Sequence, residues 1–409
     1  MSGIVIVGAG QAGFQLCASL RQAGFTGALT IVGEEPALPY SRPPLSKAYL
    51  AGEAARDALA LRPVAFYAEH DVTALTSERV TSIDRAERLV RLQSGGIIAY
   101  DHLVLATGAR NRPLLVPGAN LPGVLQLRTI ADADALMAEM GRARSVAIVG
   151  AGFIGLEFAA VCAAMGISVT VLEGAGRVLS RSVSAPMAAA IEVAHVSAGV
   201  IFVYDAVVSA VTGAARADGV ATSDGRRFPA DLVLVGIGVL PNGELATDAG
   251  LAVSSGIDVD AFLATSDPSI SAIGDCVNVP SPFADGARVR IESVQNAVDG
   301  ARCLAARLTG KPAPYAAVPW FWSDQGPLKL QIAGLGTPHN LAVVRGEPAS
   351  GAFSTFCYRG GRLVGVESLN RAADHMIARR LLQSGASLAP EQAADPAFNL
   401  KALALNAGR

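Results

Sequence analysis

Ile4-Val5-Ile6-Val7-Gly8-Ala9-Gly10-Gln11-Ala12-Gly13 stands at the start of the chain, and Val146-Ala147-Ile148-Val149-Gly150-Ala151-Gly152-Phe153-Ile154-Gly155 repeats it further on. Each stretch is a short β-branched run delivered into a G-x-G-x-x-G loop. Behind the first, residues 14–23 read as a helix closed by Gly24, and residues 28–32 as a second strand ending at Glu34. Behind the second, a helix runs to Met165 and Gly166, and the strand Ser168–Leu172 ends at Glu173. Strand, glycine loop, helix and strand ending in an acid is the dinucleotide-binding βαβ unit. The first glycine permits a tight turn, the second lets the backbone approach a pyrophosphate, and the third lets helix and strand pack closely. The helix start offers free N–H groups to the phosphates, and the acid receives the ribose hydroxyls. Two such frames point to two dinucleotides.

Working outward, Leu103-Val104-Leu105-Ala106-Thr107-Gly108 closes the first unit, and residues 232–238 hold the equivalent place after the second. Residues 265–276 form another strand, running into the Ile273-Gly274-Asp275 turn. Runs at 80–83 and 90–93, and then 201–211 with the Asp224-Gly225 turn, predict small antiparallel additions to each unit. Arg112-Pro113, Pro117-Gly118 and Pro122-Gly123 mark a crossing between domains. Residues 321–409 carry no glycine fingerprint, alternate apolar and polar positions, and turn helical around 374–383. They read as a separate α+β domain.

Composition narrows the class. A length of 409 residues suits two or three domains. Lys+Arg 33 against Asp+Glu 35 gives a net charge of −2, which excludes a broadly polycationic nucleic-acid binder. With 51% hydrophobic and 17% charged residues, a large core is available and disorder is excluded. Mean hydropathy is positive, +0.39. Yet the richest apolar runs, such as 232–240, contain glycines and fall short of the ~20 residues of a spanning helix. The N-terminus shows neither a basic segment nor a small-residue cleavage site, so the expectation is a soluble, cytoplasmic protein. Cys17, Cys162, Cys276, Cys303 and Cys357 are scattered, with no C-x-x-C, which argues for a reducing compartment and against a zinc site or redox dithiol. His70, His102, His195, His339 and His375 show no ligand spacing, and no metal is expected.

Several motifs together resemble a known family. They are Pro39-Tyr40-Ser41-Arg42-Pro43-Pro44-Leu45-Ser46-Lys47, the Ala106-Thr107-Gly108 turn, the Gly274-Asp275 turn, Arg290-Ile291-Glu292-Ser293-Val294 and Trp320-Phe321-Trp322-Ser323-Asp324-Gln325. The resemblance is to the NADH-dependent, putidaredoxin reductase-like ferredoxin reductases, single-component FAD flavoproteins of oxygenase systems. It runs from residue 1 to about residue 370. The family implies an α/β fold of glutathione-reductase-like architecture. Two Rossmann-like dinucleotide-binding domains, for FAD and NAD, are joined by a C-terminal α+β domain. Here that places the FAD domain at 1–112 and 250–320, the NADH domain at 113–249 and the C-terminal domain at 321–409.

The resemblance also implies roles. Gly8, Gly10 and Gly13 would hold the FAD pyrophosphate, with Glu34 on the adenosine ribose. Arg42 and Lys47 would lie along the FAD, Lys47 beside the reactive end of its ring. Thr107 and Gly108 belong to a flavin-side turn, Asp275 to the ribityl chain, Arg128 to the cofactor side, and Trp322 beside the flavin ring. Ser293 and Val294 would begin a helix running to about Leu308 that faces the flavin pyrimidine. Gly150, Gly152 and Gly155 would hold NADH. Glu173 would accept from a free 2′-hydroxyl and repel a 2′-phosphate, favouring NADH over NADPH, with nearby Arg177 acting against that preference. Glu157 resembles the glutamate that reaches the nicotinamide carboxamide and approaches Lys47, so these two stand as the catalytic pair; the plain alternative for Glu157 is an exposed helix charge. Trp320 and Trp322 could equally be core, and Arg288, Arg290 and Arg302 either flank the flavin entrance or are ordinary solvated arginines.

The implied reaction is hydride transfer from NADH to bound FAD, then release of single electrons to a [2Fe-2S] ferredoxin that feeds a haem monooxygenase or a ring-hydroxylating oxygenase. Ser41 and Ser46 stand where glutathione-reductase relatives carry cysteines, so thiol chemistry is not expected. Neither is a membrane or nucleic-acid partner, and the chain is expected as a monomer or weak homodimer. Two alternatives remain: an NADH oxidase, and an NADH-sensing, flavin-binding signalling protein resembling apoptosis-inducing factor.

Overall fold

The computed structural model describes residues 3–406; positions 1–2 and 407–409, the outer ends of the sequence-drawn domains, lie outside the described residues. The chain folds as two compact units. The first takes residues 3–41, Arg56–Arg110 and Leu240–Pro319, and the second takes Arg42–Ala55, Asn111–Val239 and residues 320–406. This two-unit division groups the residues differently from the three domains expected from the sequence. Residues 320–406 share a unit with the second glycine frame, and residues 42–55 leave the first frame for the second.

In the first unit the strand Gly3–Val7 lies between the parallel strands Leu29–Val32 and Ile97–Leu105, with Ile6 opposite both Ile31 and Val104. Val72–Leu75 extends the sheet beyond Leu29–Val32, and Ile270–Ala272 pairs parallel with the end of Ile97–Leu105. Ile4, Val5 and Ile6 are almost fully buried, because the sheet is covered on both faces and alternation gives way to continuous apolar runs. The antiparallel hairpin Val80–Asp84 and Leu89–Leu92 continues from the start of Ile97–Leu105. The helices Gln11–Gln22 and Val294–Leu308 pack against each other in this unit. Strand order reverses at Gly3–Val7 and Ile97–Leu105, and a ligand crevice forms where such a reversal opens the carboxyl ends of the strands.

The second unit repeats this plan. Ser145–Val149 lies between Ser168–Leu172 and Leu232–Val235, all parallel, flanked by Ile201–Val203 and Val124–Leu125. Here one expectation is corrected. Residues 201–211 are not a single antiparallel addition. Ile201–Val203 joins the parallel sheet opposite Thr170–Leu172, and only Val208–Thr212 enters the three-stranded antiparallel sheet with Gly219–Thr222 and Arg227–Pro229. Asp205, held at φ 50°, breaks the run between them. In the same unit, a five-stranded antiparallel sheet runs Trp320–Gln325, Leu328–Gly334, Arg362–Leu369, Ala352–Arg359, Leu341–Glu347, and the helix Ala372–Ser384 covers it through Ala378 and Leu381.

Candidate functional site

The first glycine loop sorts its glycines by what a side chain would meet. Gly8 sits at φ 118°, and a Cβ there would lie 2.1 Å from the Ala106 carbonyl oxygen. A Cβ on Gly13 would lie 2.1 Å from the Gly8 carbonyl oxygen. Both are glycine because protein backbone fills the space. Gly10 differs: a Cβ there would meet no atom within 4 Å, and no side chain caps the helix that Gly10 begins. The protein gains nothing in packing from glycine at this position. What it leaves is a bare helix start, a cradle into which a pyrophosphate fits.

Around that loop the first unit gathers its other expected residues. Thr107 Oγ1 donates to the Asn242 carbonyl (2.6 Å), Asn242 Nδ2 donates back to the Thr107 carbonyl (2.8 Å), and Gly108 follows at φ 66°. Gly274, at φ 81°, brings its turn against Ala12 in the first turn of Gln11–Gln22, which carries Asp275 to the same end of the sheet. Ser293 caps the helix Val294–Leu308 by accepting from the Asn296 N–H (3.0 Å). Glu34, one residue past Gly33, which packs on Ala9 of the loop, is 65% exposed and faces Arg79 at 3.6 Å. Arg288, Arg290 and Arg302 are bonded within their own unit: Arg288 to the Val259 and Asn278 carbonyls, Arg290 to Glu292, and Arg302 to Asp299. Cys276 is fully buried, its sulfur directed at the Leu105 and Ile273 carbonyls, and burial pushes its thiol up, away from redox reactivity.

The second loop repeats the sorting. A Cβ on Gly150 would approach the Gly236 carbonyl oxygen to 2.6 Å and one on Gly155 the Gly150 carbonyl oxygen to 2.4 Å, whereas one on Gly152 would find only Gly236 oxygen at 3.8 Å. Glu173 reaches back into this loop, accepting from the Ala151 N–H (2.7 Å) and the Ala175 N–H (2.9 Å). Arg177 turns its guanidinium onto the carbonyls of Val178, Ser180 and Val183, so it is spent on its own loop.

The Arg-Pro-Pro-Leu-Ser-Lys segment belongs to this second unit, held by Tyr49 Oη on Asp134 (2.5 Å) and Arg42 on the Arg128 carbonyl (2.6 Å). It delivers Lys47 Nζ to 2.7 Å from Glu157 Oε2, and the Ser46 hydroxyl donates to the same oxygen. Glu157 is buried, 5% exposed, so the exposed-helix alternative is overturned: a carboxylate there must be paired to remain charged. Its other oxygen accepts from Ser323 Oγ (2.5 Å). Trp322 stays half-buried beside Trp320, their rings 5.7 Å apart, while Phe321 packs on Phe153 at 4.6 Å. Three contributors had no role assigned from the sequence: Ser46, Ser323 and Gln325. The alternation of Ser323 and Gln325 on one strand face was the available signal. His195, on a distant helix with its Nε2 3.0 Å from Gln325 Oε1, left none.

Among the described residues no group of His, Cys, Asp and Glu could hold a metal ion, and no helix is long and apolar enough to cross a membrane.

Comparison with known proteins agrees with this geometry. The family described as "Pyridine nucleotide-disulphide oxidoreductase" matches residues 2–301, and "Reductase C-terminal" matches residues 320–404. Rhodocoxin reductase of Rhodococcus erythropolis is 52% identical, over 97% of this chain and 93% of its own. The crystal structure of the ferredoxin reductase for the CYP199A2 system from Rhodopseudomonas palustris superposes with a TM-score of 0.97 at 49% identity, covering 99% of this chain and 100% of that one. The covalent putidaredoxin reductase–putidaredoxin complex gives 0.96 at 38% identity, covering 100% and 99%.

Proposed function

Since the chain belongs to the pyridine nucleotide-disulphide oxidoreductase family, we propose that it is an FAD-dependent NADH:ferredoxin oxidoreductase, passing electrons one at a time to a [2Fe-2S] ferredoxin of an oxygenase system. The observation that carries this reading is the pair of loops whose middle glycines leave room: a Cβ on Gly10 would meet no atom within 4 Å and one on Gly152 only Gly236 oxygen at 3.8 Å. When bound, FAD supplies the conversion of a hydride pair into single electrons. The protein's own work is binding, orientation and charge.

In this reading Gly8, Gly10 and Gly13 hold the FAD pyrophosphate, and Thr107, Gly108, Asp275, Ser293 and Val294 line the flavin. The N–H groups at the start of Val294–Leu308 favour negative charge. Glu34 meets the adenosine ribose. Gly150, Gly152 and Gly155 hold the NADH pyrophosphate. Glu173 accepts from the free ribose 2′-hydroxyl, and Arg177 is committed to the carbonyls of Val178, Ser180 and Val183. Lys47 and Glu157 orient the nicotinamide, while Arg42, Arg128 and Trp322 complete the flavin side. A cytoplasmic location suits a reductase that draws on NADH.

The test is to purify the protein, confirm its yellow colour, and mix it anaerobically with NADH and then with a [2Fe-2S] ferredoxin. Rapid bleaching followed by recovery with ferredoxin is expected. Bleaching that only oxygen reverses would convert the reading into an NADH oxidase.

A further inference from the structure

Glu157 is the end of a hydrogen-bond chain that crosses the second unit. Ser323 Oγ lies 2.5 Å from Glu157 Oε1, Gln325 Nε2 lies 2.7 Å from Ser323 Oγ, and His195 Nε2 lies 3.0 Å from Gln325 Oε1. Ser323, Gln325 and His195 are each 3% exposed or less, so water does not supply alternative partners. One ionised group fixes the direction of every bond. A carboxylate paired with Lys47 can only accept, so the Ser323 hydroxyl must donate to it. Ser323 oxygen must then accept from the Gln325 amide N–H. That turns the Gln325 carbonyl towards His195, whose Nε2 must carry its proton.

We propose that Ser323, Gln325 and His195 are positioning residues for Glu157, a one-way chain of donors that locks the carboxylate against Lys47 and Ser46. The chain fastens the glycine-loop helix Phe153–Ala164 to the strand Trp320–Gln325 and that strand to the helix Ala185–Ser197. Burial pushes the His195 imidazole below its ordinary range, so the ring stays neutral and the chain carries no second charge. Without Ser323, Glu157 keeps its charge but loses a donor on one oxygen, and the carboxylate is free to rotate away from the nicotinamide contact. The inference rests on the functional reading for its effect on NADH, but the polarity of the chain is independent of it.

Two measurements test it. Nitrogen-15 spectra of selectively labelled histidine report which ring nitrogen bears the proton, and the purified protein is expected to show His195 as the Nε2–H tautomer. In Glu157→Gln the side-chain amide can both donate and accept, the polarity is no longer imposed, and the His195 resonances are expected to move. A merely structural packing role would leave them in place. An Nδ1–H tautomer, or unchanged His195 resonances in a folded Glu157→Gln, overturns the proposal. In stopped-flow reduction by NADH, Ser323→Ala is expected to slow the limiting rate of flavin bleaching by about tenfold, the size of one lost hydrogen bond to a charged group. Ser323→Thr is expected to restore most of that rate, and Gln325→Met to slow it by about threefold. Rates equal to wild type in Ser323→Ala overturn the proposal as well. A wild-type protein that NADH does not bleach would instead strike the functional reading, leaving the histidine spectra to judge the chain.

Discussion

After the strand Leu29–Val32 in the first unit comes Gly33, whose N–H donates to the Leu75 carbonyl at 2.8 Å; after Ser168–Leu172 in the second comes Glu173, whose N–H donates to the Val203 carbonyl at 2.9 Å. These two positions are structural counterparts. The loops before them match bond for bond: Gly8 N–H to Val32 oxygen and Gly150 N–H to Leu172 oxygen are both 2.8 Å. The acids do not match. A Cβ at Gly33 would press on Ala9 Cβ at 2.4 Å, so the first unit carries its acid one residue later, at Glu34, out in solvent. The second carries Glu173 under the loop, bonded to the Ala151 N–H. The difference teaches that the glycine frame repeats with the same backbone bonds, while the residue directly after the second strand sets whether a carboxylate is held under the loop.

The largest effects should come from the middle glycines. Gly10→Val is expected to give a folded but colourless protein, read as flavin absorbance per polypeptide. Gly152→Val should stay yellow and lose reduction by NADH. Gly13→Val and Gly155→Val force a side chain onto backbone oxygen, and should destabilise their own unit by about 3 kcal/mol or more in denaturant unfolding. If Gly10→Val unfolds as Gly13→Val does, the separation of packing glycines from cradle glycines fails.

Coenzyme choice comes next. Glu173→Arg should shift the NADH-to-NADPH ratio of kcat/KM by roughly 30- to 100-fold towards NADPH, about 2–3 kcal/mol of changed hydrogen bonding to charged groups. Glu34→Gln, at the exposed acid, should change FAD affinity by less than about threefold. Equal effects at the two sites would erase the contrast.

Two residues past the third glycine, the units differ again. Gln15 is half-buried and donates to Ser19 (3.0 Å), whereas Glu157 is buried and ion-paired. Lys47→Met should destabilise the protein by about 2–3 kcal/mol, somewhat less than a fully buried pair because solvent still reaches Lys47. Gln15→Met should stay within about 0.5 kcal/mol.

The smallest difference is in acid. His102 in the first unit and His375 in the second are both pushed down to about 4 by burial, aided by Arg307 and Arg379 respectively. An unfolded histidine binds its proton near pH 6.5, so the unfolded state binds more protons between about pH 6.5 and 4. Stability should therefore be intact above pH 6.5 and fall through that window as the pH drops. His375→Gln and His102→Gln should each flatten the fall, by about 1–2 kcal/mol at pH 4. His375 should matter more, since it is 1% exposed and neither of its ring nitrogens has a hydrogen-bond partner among the described residues. Parallel pH profiles in wild type and both variants would contradict this.

Periodic and glycine signals made much of this molecule legible. The two parallel sheets and the hairpin at residues 80–92 follow from local pattern, and the helix Val294–Leu308 from the family resemblance. Sequence shows only that each strand ends near an acid; that Gly33 packs on Ala9 while Glu173 bonds the Ala151 N–H is a matter of register. The Arg-Pro-Pro-Leu-Ser-Lys segment lies close to the first frame in sequence, yet long-range bonds to Asp134, Arg128 and Glu157 hold it in the second unit. Residues 201–203 went astray because a parallel edge strand and an antiparallel one look alike over three residues. Glu157 and Lys47 could be named from motif alone, but the hydroxyls that surround the carboxylate, and His195 behind them, meet only through tertiary packing.

Anaerobic titration of the purified yellow protein, followed at the flavin absorbance, addresses the division of labour between the two loops most directly. About one equivalent of NADH should bleach the wild-type protein, the same amount should leave Gly152→Val yellow, and NADPH should act poorly on wild type. A flavin in Gly152→Val that NADH reduces as fast as in wild type would show that the second loop does not deliver the hydride.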